Sequence, residues 1–310
     1  MFTQIGYFII GIILLYAGSW VLVEGSVSTA VMFAVRPVII GLTIVSFATS
    51  APELLVSLVA AFKGSGGISL GNILGSNVIN IALVLGVSAV IKPININHQI
   101  IKIDIPYMIL ISFIFWMLCL DSKIDRMDGI ILLVLLAVFL MYGLITAKDR
   151  NNKDEPVKLS MFHICKNIVF IVFGIVMLAY GASFVVQEAI QIATQIGLSQ
   201  TFIGISVVAL GTSLPELATS AMAAARGESD ISVGNVVGSN LFNICLVMGT
   251  VGVFNPMLVD PTLHDFQFPF MVSICLVLGG IAFRFHRIGK LTGYLFILMF
   301  ISYIYISYYK

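Results

Sequence analysis

The sequence predicts an all-α, polytopic membrane protein with about ten transmembrane helices in two inverted five-helix repeats, and with helices broken at the midplane of the membrane. Three observations predict this fold class: the composition, a series of apolar runs, and an internal repeat. Only 10% of residues are charged, 59% are hydrophobic, and the mean hydropathy is +1.08. An ordinary soluble domain carries roughly 25% charged residues, so a soluble fold is excluded.

The apolar runs have the length that crosses a bilayer as a helix, about 17–25 residues. They are continuously apolar and lack the alternation of a membrane barrel, which favours helices. Ten runs meet this description, at residues 5–23, 37–62, 68–91, 105–120, 129–147, 162–186, 201–225, 231–253, 266–283 and 290–309.

The distribution of basic residues predicts the orientation of these helices. With ten crossings and the N-terminus outside, 12 of the 16 Lys and Arg residues fall on one side of the membrane and four on the other. Cytoplasmic loops collect Lys and Arg. We therefore expect a multi-pass protein of the cell membrane with both termini extracytoplasmic and the polar connector 148–160 in the cytoplasm.

An internal repeat divides the chain. Residues 46–87 align without a gap with residues 209–250, at an offset of 163, and 21 of the 42 positions are identical. The predicted units are a first five-helix repeat, 1–147, the short connector 148–160, and a second repeat, 161–310. Five is an odd number of crossings, so the second repeat enters the membrane from the opposite side. Such inverted repeats are common in secondary transporters, whose substrate site lies near the midplane.

Each repeat contains a polar cluster with a proline, "ATSAPE" at 48–53 and "GTSLPE" at 211–216. Pro52 and Pro215 lack an N–H group and clash with the preceding turn, so each is expected to break its helix. Such a break frees backbone carbonyls. Carbonyls without a partner are tolerated in a membrane only where they line a cavity or find another partner, such as a metal ion. The carbonyls concerned belong to Ser46, Thr49, Ala209 and Thr212.

Glu53 and Glu216 follow the two breaks. A charged residue costs about 2.5–3.5 kcal/mol at the bilayer centre, and an inverted two-fold axis brings these two together. Two close carboxylates cannot both stay ionised without a counter-charge. Neither cluster contains Lys or Arg, so the counter-charge must be a proton or a bound cation.

Further oxygen donors come from the same clusters and from a second pair, "GNILGSNVIN" at 71–80 and "GNVVGSNLFN" at 234–243. These hard oxygens suit calcium or sodium and suit zinc or copper poorly. The candidate donors are the side chains of Thr49, Ser50, Ser76, Asn80, Thr212, Ser213, Ser239 and Asn243. Other polar residues are candidates for other roles: interhelical hydrogen bonding is favoured over ligation for Asn72, Asn77, Asn235 and Asn240, and solvated positions near helix ends are expected for Glu24, Asp104 and Glu188.

The four quoted segments resemble the two α-repeats of the calcium:cation antiporter superfamily, most closely its prokaryotic sodium/calcium exchanger branch. The resemblance implies an antiporter, not an enzyme, in which Glu53 and Glu216 bind calcium and compete for sodium. It also implies that the other side-chain donors complete adjacent cation sites and that the carbonyls of Ser46, Thr49, Ala209 and Thr212 coordinate ions. The implied partners are calcium and sodium ions and the lipid bilayer. No cofactor, nucleic acid or obligatory protein partner is expected.

Three alternatives remain open at this point. Calcium could be exchanged for protons, although Gly75 and Gly238 stand where the proton-coupled branch usually carries an acid. Potassium transport is not one of the three, because Asn243 stands where potassium-dependent exchangers carry an acid. A hydrolase with Ser50 or Ser213 as nucleophile needs a base, and neither cluster contains His or Lys. A channel fits less well, because broken helices around buried carboxylates favour occlusion over an open pore.

Overall fold

The structure, a computed structural model, describes residues 2–146, 161–195 and 209–309. The predicted connector 148–160 and the first part of the predicted 201–225 helix lie outside these residues. The described helical segments are α1 Phe2–Met32, α2 Pro37–Thr49, α3 Ala51–Phe62, α4 Gly66–Ile91, α5 Ile100–Asp121, α6 Arg126–Ile145, α7 Met161–Gln195, α8 Ala209–Thr212, α9 Leu214–Arg226, α10 Ser229–Phe254, α11 Gln267–Phe285, preceded by a 3₁₀ turn at Pro261–His264, and α12 Lys290–Tyr309.

Eight helices of the described chain are long and apolar enough to cross a membrane, and α2 with α3 forms a ninth span that is bent by 42°. The predicted fold class, an all-α polytopic membrane protein, is confirmed. The break between α2 and α3 lies at Ser50, with φ −82° and ψ 2°, and the break between α8 and α9 lies at Ser213, with φ −87° and ψ 6°. In both cases the proline follows two residues later, in the first turn of the next helix, where its missing N–H costs nothing.

In the described part of the chain, two short antiparallel ribbons connect residues that are far apart in sequence. They use the strands β1 Ile94–Asn95, β2 Lys123–Ile124, β3 Met257–Leu258 and β4 Arg287–Ile288. β1 pairs with β4, and β2 pairs with β3. Paired strands must lie on the same side of the membrane. Between β2 and β3 the chain passes α6, α7 and α10. An even number of crossings therefore requires a fourth, for which the broken α8–α9 segment is available, and this is consistent with ten spans.

Within the described residues, four wide π-helical turns interrupt the membrane helices, at Gly41–Val45, Asn80–Leu85, Ile100–Asp104 and Phe242–Met248. The apolar runs do not predict them, because a π turn leaves hydropathy unchanged. One inserted residue widens the turn and rotates the side chains beyond it, and such turns are frequent at functional sites. Asn80 begins one of these turns and Asn243 lies in another.

Helices α1 and α7 pack directly against each other, backbone to backbone. A Cβ atom added to Gly18 would lie 3.0 Å from the Gly174 carbonyl oxygen, and one added to Gly174 would lie 2.9 Å from the Gly18 carbonyl oxygen. Gly11 and Gly181 make the same reciprocal contact at 2.9 Å. Small residues allow this approach, and they make α1 and α7 a closely fitted pair.

Gly129 provides a test of helix packing. A Cβ atom there would lie 2.6 Å from the Gly249 carbonyl oxygen and 2.7 Å from the Val253 nitrogen, so α6 and α10 would have to separate. We expect Gly129→Ala to destabilise the protein by about 1–3 kcal/mol and to lower its thermal unfolding temperature in detergent. Gly280→Ala is the matched control, because no described atom would lie within 4 Å of its Cβ. Equal unfolding temperatures for the two variants would contradict this packing.

Candidate cation site

The two breaks place Glu53 and Glu216 in the first turns of α3 and α9. Both side chains are fully buried, with 0% exposure. The N-terminus of a helix carries a partial positive charge and unpaired N–H groups, which favour a carboxylate there. The breaks therefore supply a local reason why an acid is tolerated at this depth.

Each carboxylate faces a serine of the opposite repeat. Ser213 Oγ donates to Glu53 Oε1 at 3.4 Å, and Ser50 Oγ donates to Glu216 Oε1 at 3.5 Å. Hydroxyl hydrogen bonds are normally about 2.5–3.0 Å long, so both contacts are weak. The second oxygens, Glu53 Oε2 and Glu216 Oε2, are buried and accept no hydrogen bond from the described residues. The carboxylates therefore keep most of their capacity to bind a cation.

Asn72 forms hydrogen bonds with the first turns of α3. Its Nδ2 donates to Ser57 Oγ at 3.0 Å and to the Glu53 carbonyl at 3.5 Å, while its Oδ1 accepts from the Thr212 hydroxyl at 3.3 Å. The favoured prediction for Asn72, interhelical hydrogen bonding, agrees with these contacts. Ser57 was missed by the sequence analysis, although its spacing of one helical turn from Glu53 is a usable signal.

Asn235 repeats this arrangement in the second half. Its Nδ2 donates to Ser220 Oγ at 2.9 Å and to the Glu216 carbonyl at 3.5 Å, and its Oδ1 accepts from Thr49 Oγ1 at 3.2 Å. Thr49 also lies 3.3 Å from Ser239 Oγ. The two threonines of the breaks are thus held by asparagines from the opposite repeat, again by interhelical hydrogen bonds.

The remaining predicted side-chain donors follow Asn72 and Asn235 at one-turn intervals. Ser76 and Asn80 lie four and eight residues after Asn72, so the three share one face of α4. Ser239 and Asn243 follow Asn235 in the same way on α10. Three oxygens of this set are buried without a partner among the described residues: Ser76 Oγ, Asn80 Oδ1 and Asn243 Oδ1.

The predicted carbonyl ligands are only partly available. The Ser46 carbonyl already accepts the Ser50 N–H at 2.9 Å and the Thr49 hydroxyl at 3.4 Å. The helical hydrogen bond survives because the break comes at position 50, after that turn is complete. Ala209 is the first described residue of α8.

Among the residues whose exposure the structure describes, no Lys or Arg is buried, so these residues supply no buried positive charge to Glu53 and Glu216. The described residues also contain no group of three or more His, Cys, Asp or Glu side chains placed so that it could hold a metal ion. Two carboxylates with surrounding hydroxyl and amide oxygens match the preferences of calcium, which takes about six to eight oxygen ligands.

A cavity of about 390 Å³ lies beside the site, between α7 and the two breaks. Thr49 and Thr212 line it on the side of the breaks, and Leu178, Ala182 and Val186 line it on the side of α7. The cavity therefore extends from the two threonines of the breaks to the surface of α7.

Two of the three acids expected to be solvated are buried. Asp104 is 2% exposed and Glu188 is 7% exposed, so the expectation was wrong for both. A residue near the end of its own helix can still be buried when neighbouring helices extend beyond that end. Glu24 is partly exposed and pairs with Arg226, whose guanidinium also lies 5.6 Å from the ring centre of Trp20.

The family model described as "Sodium/calcium exchanger protein" matches residues 3–144 and 166–309, nearly the whole chain. The chain belongs to the sodium/calcium exchanger family. The resemblance to the calcium:cation antiporter superfamily, drawn from the repeats, is confirmed.

Several individual exchangers and membrane proteins are similar to this chain along most of their length. The sodium/calcium exchanger MaX1 of Methanosarcina acetivorans is 28% identical over 340 residues, and the match covers 97% of both chains. The inner membrane protein YrbG of Escherichia coli is 30% identical over 260 residues, covering 81% of this chain and 80% of its own. The solved structure of the sodium-calcium exchanger NCX_Mj, soaked with Na⁺ and Ca²⁺, matches with a TM-score of 0.86 and 32% identity over 98% of both chains.

Membership of the exchanger family establishes the class of activity. The chain is a cation/calcium antiporter of the membrane and a transporter, not an enzyme. Exchangers of this family need no cofactor, and the metal ions concerned are their substrates.

Proposed function

We propose that the chain exchanges calcium for sodium by alternating access at one shared site centred on Glu53 and Glu216. The observation that carries the proposal is the pair of fully buried carboxylates with no buried basic residue among the described neighbours. A single calcium ion neutralises both charges, whereas sodium needs two ions to do the same. Because the two cations use the same ligands, they exclude each other, and this exclusion couples their fluxes.

The ligands of the proposed site come from both halves. Besides the two glutamates, the proposed side-chain ligands are Thr49, Ser50, Ser76, Asn80, Thr212, Ser213, Ser239 and Asn243, with the carbonyls of Ser46, Thr49, Ala209 and Thr212 as further donors. Three side-chain oxygens and the two second carboxylate oxygens have no partner among the described residues, which supports this set. With the other donors of the set, they offer calcium at least the roughly six to eight oxygens it requires.

The halves 1–147 and 161–310 act as inverted repeats in this proposal, with both termini outside the cell membrane. The 12-to-4 distribution of basic residues supports this orientation. The ribbons agree with ten crossings, because each pairs two strands that ten crossings place on the same side of the membrane. Leu55 and Val56, which line the cavity, lie between Glu53 and the Lys63 turn, so the cavity leads outward, while Arg226 and Glu24 close the inner side.

Sodium is favoured over protons as the coupling ion. MaX1 is a sodium/calcium exchanger by name, and NCX_Mj was solved after soaking with both ions. Buried carboxylates can also be neutralised by protons, so the test must separate the two ions.

The test is uptake of radiolabelled calcium into proteoliposomes. We expect uptake when the vesicles are loaded with sodium and diluted into sodium-free buffer, and none when they are loaded with potassium or given only a pH gradient. Uptake driven by the pH gradient would replace sodium by protons in the proposal. Uptake independent of every gradient would indicate a channel.

A further inference from the structure

Two asparagines outside the proposed ligand set, Asn77 and Asn240, each accept a hydrogen bond from a proposed ligand asparagine of the opposite half. Asn80 Nδ2 donates to Asn240 Oδ1 at 3.0 Å, and Asn243 Nδ2 donates to Asn77 Oδ1 at 3.3 Å. All four side chains are buried. Positions 77 and 240 correspond at the offset of 163, as do 80 and 243, so the same contact occurs twice, each time across the boundary between the halves.

The donor ends of Asn77 and Asn240 are held in turn by methionine sulfurs. Asn240 Nδ2 lies 3.6 Å from Met108 Sδ, and Asn77 Nδ2 lies 3.8 Å from Met271 Sδ. Asn240 Nδ2 also donates to the Asn77 carbonyl at 3.3 Å. A thioether sulfur can only accept. It therefore favours the amide orientation in which the oxygen, not the nitrogen, faces the ligand asparagine.

The orientation of an asparagine amide decides whether it can bind a cation. Its Oδ1 accepts and can coordinate a metal ion, whereas its Nδ2 only donates. Rotation of the Asn80 amide by half a turn would point two N–H groups at the cation. Because Asn80 Nδ2 is committed to Asn240, Asn80 Oδ1 is the atom left unpartnered among the described residues, and the same holds for Asn243.

We propose that Asn77 and Asn240 are positioning residues that keep the amide oxygens of Asn243 and Asn80 turned toward the cation, with Met271 and Met108 holding the positioning residues in turn. Each ligand asparagine is thus oriented by the opposite half of the chain. The inference rests on the proposed function of the site, since it assigns Asn80 and Asn243 to the cation.

The test measures equilibrium binding of radiolabelled calcium to the purified full chain, together with the KM and maximal rate of uptake. Loss of a group that orients a metal ligand typically costs about 10- to 100-fold in affinity. We expect Asn240→Leu to weaken calcium binding and to raise the calcium KM by that factor, with the maximal rate at saturating calcium nearly unchanged. A merely structural role would lower the maximal rate through loss of folded protein and leave KM unchanged.

A double-mutant cycle makes the test specific for orientation. Asn80→Asp replaces the amide by a carboxylate, which has two acceptor oxygens and no N–H to misdirect. In that background we expect Asn240→Leu to weaken calcium binding by less than about threefold, well below the roughly 10- to 100-fold range. Equal losses in both backgrounds, or no loss in the unsubstituted chain, would overturn the proposal.

Met108→Leu is the second variant, for use if Asn240→Leu does not fold. It removes the sulfur acceptor at similar volume, and a smaller rise in the calcium KM is expected, again suppressed by Asn80→Asp. Met127→Leu is its control, because Met127 is 63% exposed. An unchanged KM for Met108→Leu would overturn the proposal. Failure of the unsubstituted chain to bind calcium would instead refute the proposed function, and the positioning role with it.

Discussion

Glu53→Gln and Glu216→Gln will each reduce sodium-driven calcium uptake to the level of protein-free liposomes. Glutamine keeps the size of the side chain and one carbonyl oxygen but removes one of the two negative charges. A bound calcium ion would then retain an uncompensated charge in a fully buried site. Breaking a buried charge pair costs about 3–5 kcal/mol, which corresponds to at least about a 100-fold loss of affinity.

The same substitutions should weaken sodium binding less than calcium binding, because the remaining carboxylate still matches one monovalent ion. Binding of each ion to the purified variants measures the difference. Asp121→Asn is the matched control: it also removes a carboxylate, but one with an exposed side chain whose pairing with Lys123 is worth little. Full uptake by both glutamate variants would show that the cation binds elsewhere.

Locking α1 to α9 will stop transport, whereas locking α1 to α7 will not. Arg226 Nη1 donates to the Trp20 carbonyl at 3.4 Å and its Nη2 contacts Glu24, so α1 and the end of α9 meet at this point. Alternating access requires the site to open on this side, and the contact must then separate. A thiol cross-link between Glu24→Cys and Arg226→Cys, with the four native cysteines replaced, should reduce uptake to background.

The control cross-link lies within the α1–α7 pair. The rings of Tyr7 and Phe184 are 5.7 Å apart, and the reciprocal glycine contacts indicate that the two helices move together. Tyr7→Cys with Phe184→Cys should therefore retain uptake after cross-linking with the same reagent. Loss of uptake in both cross-linked proteins, or in neither, would argue against movement of the pair relative to the core.

The sequence predicts the spans, the breaks and the polar residues around them because each depends on local chemistry: apolar length, proline, and acids in lipid. The sequence cannot predict which helix of one repeat packs against which helix of the other. Asn72 reaches Thr212 and Asn80 reaches Asn240, contacts that depend on how the two repeats dock. The repeat suggested that Glu53 and Glu216 meet, but helical periodicity relates neighbours within one helix only.

The burial of Asp104 and the π-helical turns were missed for related reasons. Asp104 lies in such a turn, near the start of α5, where the apolar run becomes less continuous in the sequence although other helices still cover it. Hydropathy measures composition along one segment and contains no information about the neighbours that exclude water from it.

The two β ribbons have a consequence for biogenesis. Each ribbon joins a strand of the first half to a strand of the second. The hydrogen bonds Asn80–Asn240 and Asn243–Asn77 also join the two halves. During synthesis, the first five helices therefore enter the membrane before the partners of β1, β2 and these asparagines exist. Their final packing must wait until β3 and then β4 have left the ribosome.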